Sequence, residues 1–375
     1  SPQKKLYFLS FVDNVFNKNE ASIKDVNILL DEYRSQLSDS SKASLLLLQQ
    51  DNYFKTFQYA RAFAMDKQLI KQYGNALDSS SIDDINNKLL IDSGLASVPA
   101  QQVSIPGSTS IPWQRDKIGL LEIPVRMHDT TVASIFDTRA NISSISASFA
   151  KRLGVRLMNV DYTEGSGATG NTFKVGLGIA DSLWMGSILV RHVVFQVMPD
   201  EVLYIAPIDF RMNMIIGYPV IAQLREVNIK KSGSIFIPAQ PTANNLRNLG
   251  MDGLDPIVSC IVNTDTLTFQ FDTGASTTDF YENYFLRFEK NVRQKGLEDS
   301  VKSGGAGGVI QQKIYWLKDV SMTIGNKTTI LKKVSVQEEP LGHINQKFYG
   351  NIGQDLMAPF DETILNFESM YIEFR

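Results

Sequence analysis

The sequence predicts an α+β protein in which a helical N-terminal domain is followed by two tandem all-β units. Apolar residues recur at helical spacing up to about residue 96, and after Pro112 they alternate in short strand-like runs. The strand-rich part also matches itself at a nearly constant offset. The expected division is residues 1–96 helical, 97–112 linker, 113–238 first β-unit and 239–375 second β-unit. A chain of 375 residues is long enough for several hydrophobic cores.

In the helical part, Phe8, Phe11, Val12, Val15 and Phe16 fall on one helical stripe. Ser22 and Asp25 have capping-box spacing ahead of a second stripe through Ile23, Val26, Leu29, Leu30, Tyr33 and Leu37. A third helix is expected to open near Ser40 or Ser41. A fourth should run from Asp51 through Phe54, Phe57, Phe63 and Leu69 to Gly74, and a fifth from Ser81 and Asp84 to Gly94. Residues 97–112, with Pro99, Pro106, Gly107 and Pro112, show no periodicity, hence a linker.

The β-region is best read against itself. Phe136-Asp137-Thr138-Arg139-Ala140 aligns with Phe271-Asp272-Thr273-Gly274-Ala275, 135 positions later. Polar turns precede each, at His128 to Thr131 and Asn263 to Thr266. Glycine-rich stretches follow at Gly165 to Gly170 and Gly304 to Gly308. Ile216-Gly217 and Ile352-Gly353 come next, their glycines 80 and 81 positions after the respective Asp, and each unit closes on a strand-like segment.

Composition removes several functional classes. A net charge of −3, from 37 basic and 40 acidic residues, supplies no positive field for nucleic acid. The longest apolar run, Leu45 to Leu48, is too short for a transmembrane segment. One cysteine, Cys260, rules out an internal disulfide and a multi-cysteine metal site, and it is expected to be a buried small hydrophobe. His128, His192 and His343 lack metal-ligand spacing, so no metal is expected and the chemistry is expected to rest on carboxylates. The chain opens at Ser1 rather than Met, which suggests an exported protein, periplasmic, cell-surface or secreted.

The two Asp-Thr motifs, with their glycine-rich hairpins and hydrophobic-hydrophobic-Gly segments, resemble the aspartic peptidases of the pepsin and retropepsin superfamily. The resemblance covers both halves of 113–375 and none of the helical region. It implies two retropepsin-like units forming a bilobal acid-protease fold, with Asp137 and Asp272 as the catalytic pair. Thr138 and Thr273 would brace that pair, with Arg139 and Gly274 beside it. Gly165, Gly167, Gly170, Gly304, Gly305 and Gly307 would lie in flaps over a cleft, and Ile216-Gly217 and Ile352-Gly353 behind the active-site loops. The implied substrate is a peptide or protein, with no cofactor. The chemistry is consistent: two carboxylates about 3 Å apart cannot both ionise, so one can serve as base and the other as acid.

Arg139 departs from the family pattern, which has Gly there. A guanidinium beside the pair is expected to favour two ionised carboxylates and depress their pKa values. An alternative is a catalytically silent protein that binds extended peptides or protein partners. Another is a homodimer in which two chains each contribute Asp272. Asp-Thr is also ordinary turn chemistry at a strand end. The Gly165–Gly170 stretch fits the dinucleotide fingerprint G-x-G-x-x-G, but the alternation of Phe173, Val175, Leu177 and Ile179 predicts a strand where that motif needs a helix.

Overall fold

The computed structural model describes residues 1–375 except 161–162, 168–169 and 341–346. His343 therefore lies outside the described residues. The chain folds as a helical N-terminal domain followed by a strand-rich region of two β-units.

The N-terminal helices are α1 (Pro2–Val15), α2 (Asn19–Glu32), α3 (Asp39–Lys55), α4 (Tyr59–Tyr73) and α5 (Ser79–Leu95). Two caps act slightly earlier than the sequence suggested. The Ser38 hydroxyl accepts from the Ser41 amide at 3.1 Å, and the Asp78 carboxylate accepts from the Ser81 amide at 2.8 Å. Ser22 is not a cap: it lies inside α2, and its hydroxyl donates to the Ser10 carbonyl at 2.7 Å. The expected fourth helix from Asp51 to Gly74 is two helices, because the chain turns at Thr56–Gln58, where Phe57 takes a φ of 58°. Phe8, expected on the buried stripe, is 67% exposed, whereas Leu6, Tyr7 and Phe11 pack against Val26, Leu29 and Leu45.

The expected linker carries two strands, Gln102–Ser104 and Thr109–Pro112. Each β-unit then begins with a hairpin whose two-residue turn opens on a positive φ. Leu121–Met127 and Thr130–Phe136 are joined through His128 (φ 50°), and Asp255–Val262 and Asp265–Phe271 through Asn263 (φ 55°). Burial alternates along Leu121–Met127, which is the mark of one face on the core.

A late strand inserts behind each Asp. Met214–Ile216 runs parallel to Thr130–Phe136, with Ile216 opposite Phe136. Gly350–Ile352 runs parallel to Asp265–Phe271, with Ile352 opposite Phe271. A third sheet joins the two units in the order Thr109–Pro112, Ser234–Ile237, Glu226–Lys230, Glu362–Asn366, Tyr371–Phe374. Its Glu226–Lys230 and Glu362–Asn366 strands pair across the unit boundary, which fixes how the two Asp-bearing loops face each other.

Candidate active site

Each Asp follows the last residue of a buried strand. The Asp137 amide donates to the Ile216 carbonyl at 3.0 Å, and the Asp272 amide to the Ile352 carbonyl at 2.9 Å. The threonines lock the loops to one another. Thr138 Oγ1 donates to the Phe271 carbonyl at 2.9 Å, and Thr273 Oγ1 to the Phe136 carbonyl at 2.7 Å. Each hydroxyl also accepts the other threonine's amide, at 3.0 and 3.1 Å. Both threonines are wholly buried, so these four bonds exchange with no water and hold the loops in one geometry.

Gly217 and Gly353 stand directly behind the loops. The amide after each donates to the loop carbonyls of Ala140 and Ala275, both at 2.9 Å. A side chain on either glycine would strike loop backbone. Gly274 has no side chain for a related reason: its Cα lies against the Asp137 carboxyl group, where a Cβ would overlap it.

Asp137 and Asp272 line one cavity, and the Asp137 carboxyl group packs against Gly274, two residues after Asp272. Asp137 Oδ1 accepts the Arg139 and Ala140 amides at 2.8 and 3.0 Å, while Asp272 accepts the Gly274 amide at 2.7 Å and Asn351 Nδ2 at 3.1 Å. Burial, and then repulsion from Asp272, push the Asp137 pKa well above the usual carboxylate range. The Arg139 amide and guanidinium pull the other way and lose.

Arg139 reaches across to the second unit. Its guanidinium lies 3.7 Å from Asp272, 3.5 Å from Asp255 and 3.3 Å from Asn351 Oδ1, with the Tyr281 hydroxyl at 3.5 Å. Burial works against its charge, but Tyr281, Asp272, Asp255 and Asp137 outweigh this and keep its pKa high. The expectation that Arg139 would depress both carboxylates is thus corrected for Asp137. The guanidinium's field is shared among several acceptors, and burial of Asp137 dominates.

The residues that receive Arg139 escaped the sequence reading, although a signal was present. In the first unit Ile135 stands opposite Ile215, both buried; at the matching places the second unit has Gln270 opposite Asn351. Tyr281 donates to Gln270 Oε1 at 3.0 Å and completes the set. Polar residues at two strand positions that are apolar in the other unit mark the side on which the arginine lies.

Residues 123–220 match the family model for aspartyl protease. These residues belong to the aspartic peptidase superfamily. The match runs from the first strand through the Asp137 loop to Gly217 and the helix after it. No curated protein matches the chain.

A cavity of about 1700 Å³ is lined by Asp137, Arg139 and Asp272, by both glycine-rich hairpins, and by α3 and α5. The first hairpin pairs Thr163–Ser166 with the start of Thr172–Met185. The second pairs Leu297–Gly305 with Gly308–Ile324. Their tips meet: Gly167 packs on the Ala306 backbone, and Asn171 Nδ2 donates to the Gly307 carbonyl at 3.2 Å. Gly165, Gly167, Gly304 and Gly305 line the cleft, and Gly170 and Gly307 adopt φ of 73° and 93° at the turns. The Thr172–Met185 strand follows the G-x-G-x-x-G match, so that stretch is hairpin rather than a nucleotide loop. His192 lies within a strand, its Nδ1 3.2 Å from the Ala100 carbonyl, and Cys260 is fully buried. Among the described residues, no helix is long and apolar enough to cross a membrane and no metal-ligand cluster is present.

Proposed function

We propose that this protein hydrolyses peptide bonds in an extended polypeptide held between the two β-units. What supports this reading is that reciprocal threonine bonds join the two Asp-Thr loops of one chain, whose Asp137 and Asp272 line the same cavity. Burial holds the proton of Asp137, so in this reading Asp137 is the acid of the pair and Asp272, beside Arg139, is the base. Asp272 takes a proton from the attacking water as its oxygen bonds to the carbonyl carbon, and Asp137 gives its proton to the carbonyl oxygen. The tetrahedral diol then collapses: a hydroxyl proton returns to the carboxylates, the nitrogen is protonated, and the C–N bond breaks. Arg139, 3.7 Å from Asp272, places a positive charge on the side of the base.

The test is cleavage of an unfolded protein substrate from pH 3 to 8 by the parent, Asp137→Ala and Asp272→Ala. Either substitution is expected to lower kcat by at least about a hundredfold, since acid and base contribute on that order or more. Loss with Asp272→Ala alone favours the homodimer site. A parent and an Arg139→Gly variant both inert at every pH overturn the enzyme reading in favour of a protein that binds extended peptides without cutting them.

A further inference from the structure

We infer that Asn87, on the N-terminal helical domain, is a positioning residue that fastens the first flap over the cleft; this rests on the peptidase reading above. The outer strand of that flap, Thr163–Ser166, pairs with Thr172–Val175 on one side, with Glu164 opposite Lys174. On its other side Asn87 supplies what a further strand would supply. Its Nδ2 donates to the Glu164 carbonyl at 3.0 Å, and its Oδ1 accepts the Glu164 amide at 2.8 Å. A single side chain thus satisfies both main-chain groups of one edge residue, in the pattern of a hydrogen-bonded antiparallel pair.

The same helix holds the base of the hairpin. Gly94, two turns further along α5, lies so close to Val160 and Leu177 that a Cβ there would press on both side chains. Leu95 packs in one cluster with Leu177 and Ile179 of the hairpin strand. Between these two attachments α5 presents Lys88 and Ile91 to the cleft. The helix is therefore a side wall of the substrate channel, and Asn87 is where the wall grips the flap near its tip. A flap released at Glu164 would still pair with its own second strand but would lose its fixed height above Asp137 and Asp272.

The decisive experiment is hydrogen exchange on the full chain, which needs no activity. Asn87→Ala is expected to speed exchange of the Glu164 amide and the strands paired with it by about thirtyfold, since it removes two hydrogen bonds of about 1 kcal/mol each. Exchange of the core strand Ile188–Met198 stays at the parental rate and reports that the variant is folded. Asn87→Asp, which keeps the acceptor but sets a carboxylate against the Glu164 carbonyl, is expected to loosen the same hairpin. Asn86→Ala, at the exposed neighbour, leaves it unchanged. With a peptide substrate, Asn87→Ala raises KM several-fold, with kcat and the pH limbs near parental. Parental flap exchange in both Asn87 variants overturns the proposal, as does a loosened flap with parental KM. If the parent cuts nothing, the peptidase reading fails, and the exchange result alone still decides whether Asn87 holds the hairpin.

Discussion

At Arg139 a charged side chain stands where the matching position of the second unit, Gly274, has no room for any. Gly274 faces the Asp137 carboxyl group, with buried Ile135 and Ile215 in that unit, whereas Arg139 faces Gln270, Asn351, Asp255 and Tyr281. The arginine is built in, and its removal strands its partners. Arg139→Gly is expected to lower stability by on the order of 3 kcal/mol, because Asp255 and Asp272 lose a mostly buried counter-charge. Since the guanidinium pulls the Asp137 pKa down, its loss moves the pH–rate profile toward higher pH. Calorimetry at pH 5, together with kcat/KM from pH 3 to 8, checks both expectations. A profile that does not move shows that Arg139 does not set the charge on the pair.

Between α4 and α5 lies a second carboxylate pair. Asp66 and Asp92 are both fully buried; Gln50 donates to Asp92 at 2.9 Å, and Asp66 receives no N–H or O–H. Burial, then Asp92, push the Asp66 pKa up to about 8, and burial pushes Asp92 up to about 6. Both folded values exceed the unfolded value, so above pH 4 the unfolded chain releases these protons first and stability falls as pH rises toward 8. Asp66→Asn removes that proton release. It is expected to flatten the dependence and to stabilise the protein at pH 8 by roughly 2 kcal/mol relative to parent. Thermal melts of both proteins from pH 4 to 8 measure it; parallel curves would show that the pair does not titrate with unfolding. Because α5 also grips the first flap, alkaline loosening of this helix pair is expected to reach the cleft.

Across the whole molecule the helical domain acts as a wedge against both units. Tyr59 and Leu95, with Phe54, Phe57 and Ile91 beside them, bury Ile142, Leu177, Ile179 and Val194 of the first unit, and Phe16 packs on the β core, where Val15 sits against Gly250 of the second unit. Uncovering those four first-unit side chains costs roughly 1.5 to 3 kcal/mol each, comparable in sum to the stability of a typical domain. A chain beginning at Ser97 is therefore expected to aggregate and to show no peptidase activity. Size-exclusion chromatography and a cleavage assay on that truncation distinguish this from an inhibitory preface, whose removal would leave a monodisperse protein with increased activity.

The sequence by itself determined the helical preface and the two β-units, and it pointed to Asp137 and Asp272, because each rests on local information: helical or alternating spacing, turn residues, and a motif repeated 135 positions apart. It also supplied the glycines at Gly217, Gly274 and Gly353, where any side chain would strike a loop. Only the tertiary structure decided the direction of Arg139 and, separately, the rise of the Asp137 pKa, since both depend on burial and on groups over a hundred residues away. The break at Phe57 and the exposure of Phe8 likewise followed from packing between helices, which overrides periodicity along one helix. The grip of Asn87 on Glu164 joins residues 77 positions apart through one side-chain amide. No pattern along the chain distinguishes that amide from any other exposed asparagine, so only the packing of α5 along the hairpin gives it a partner.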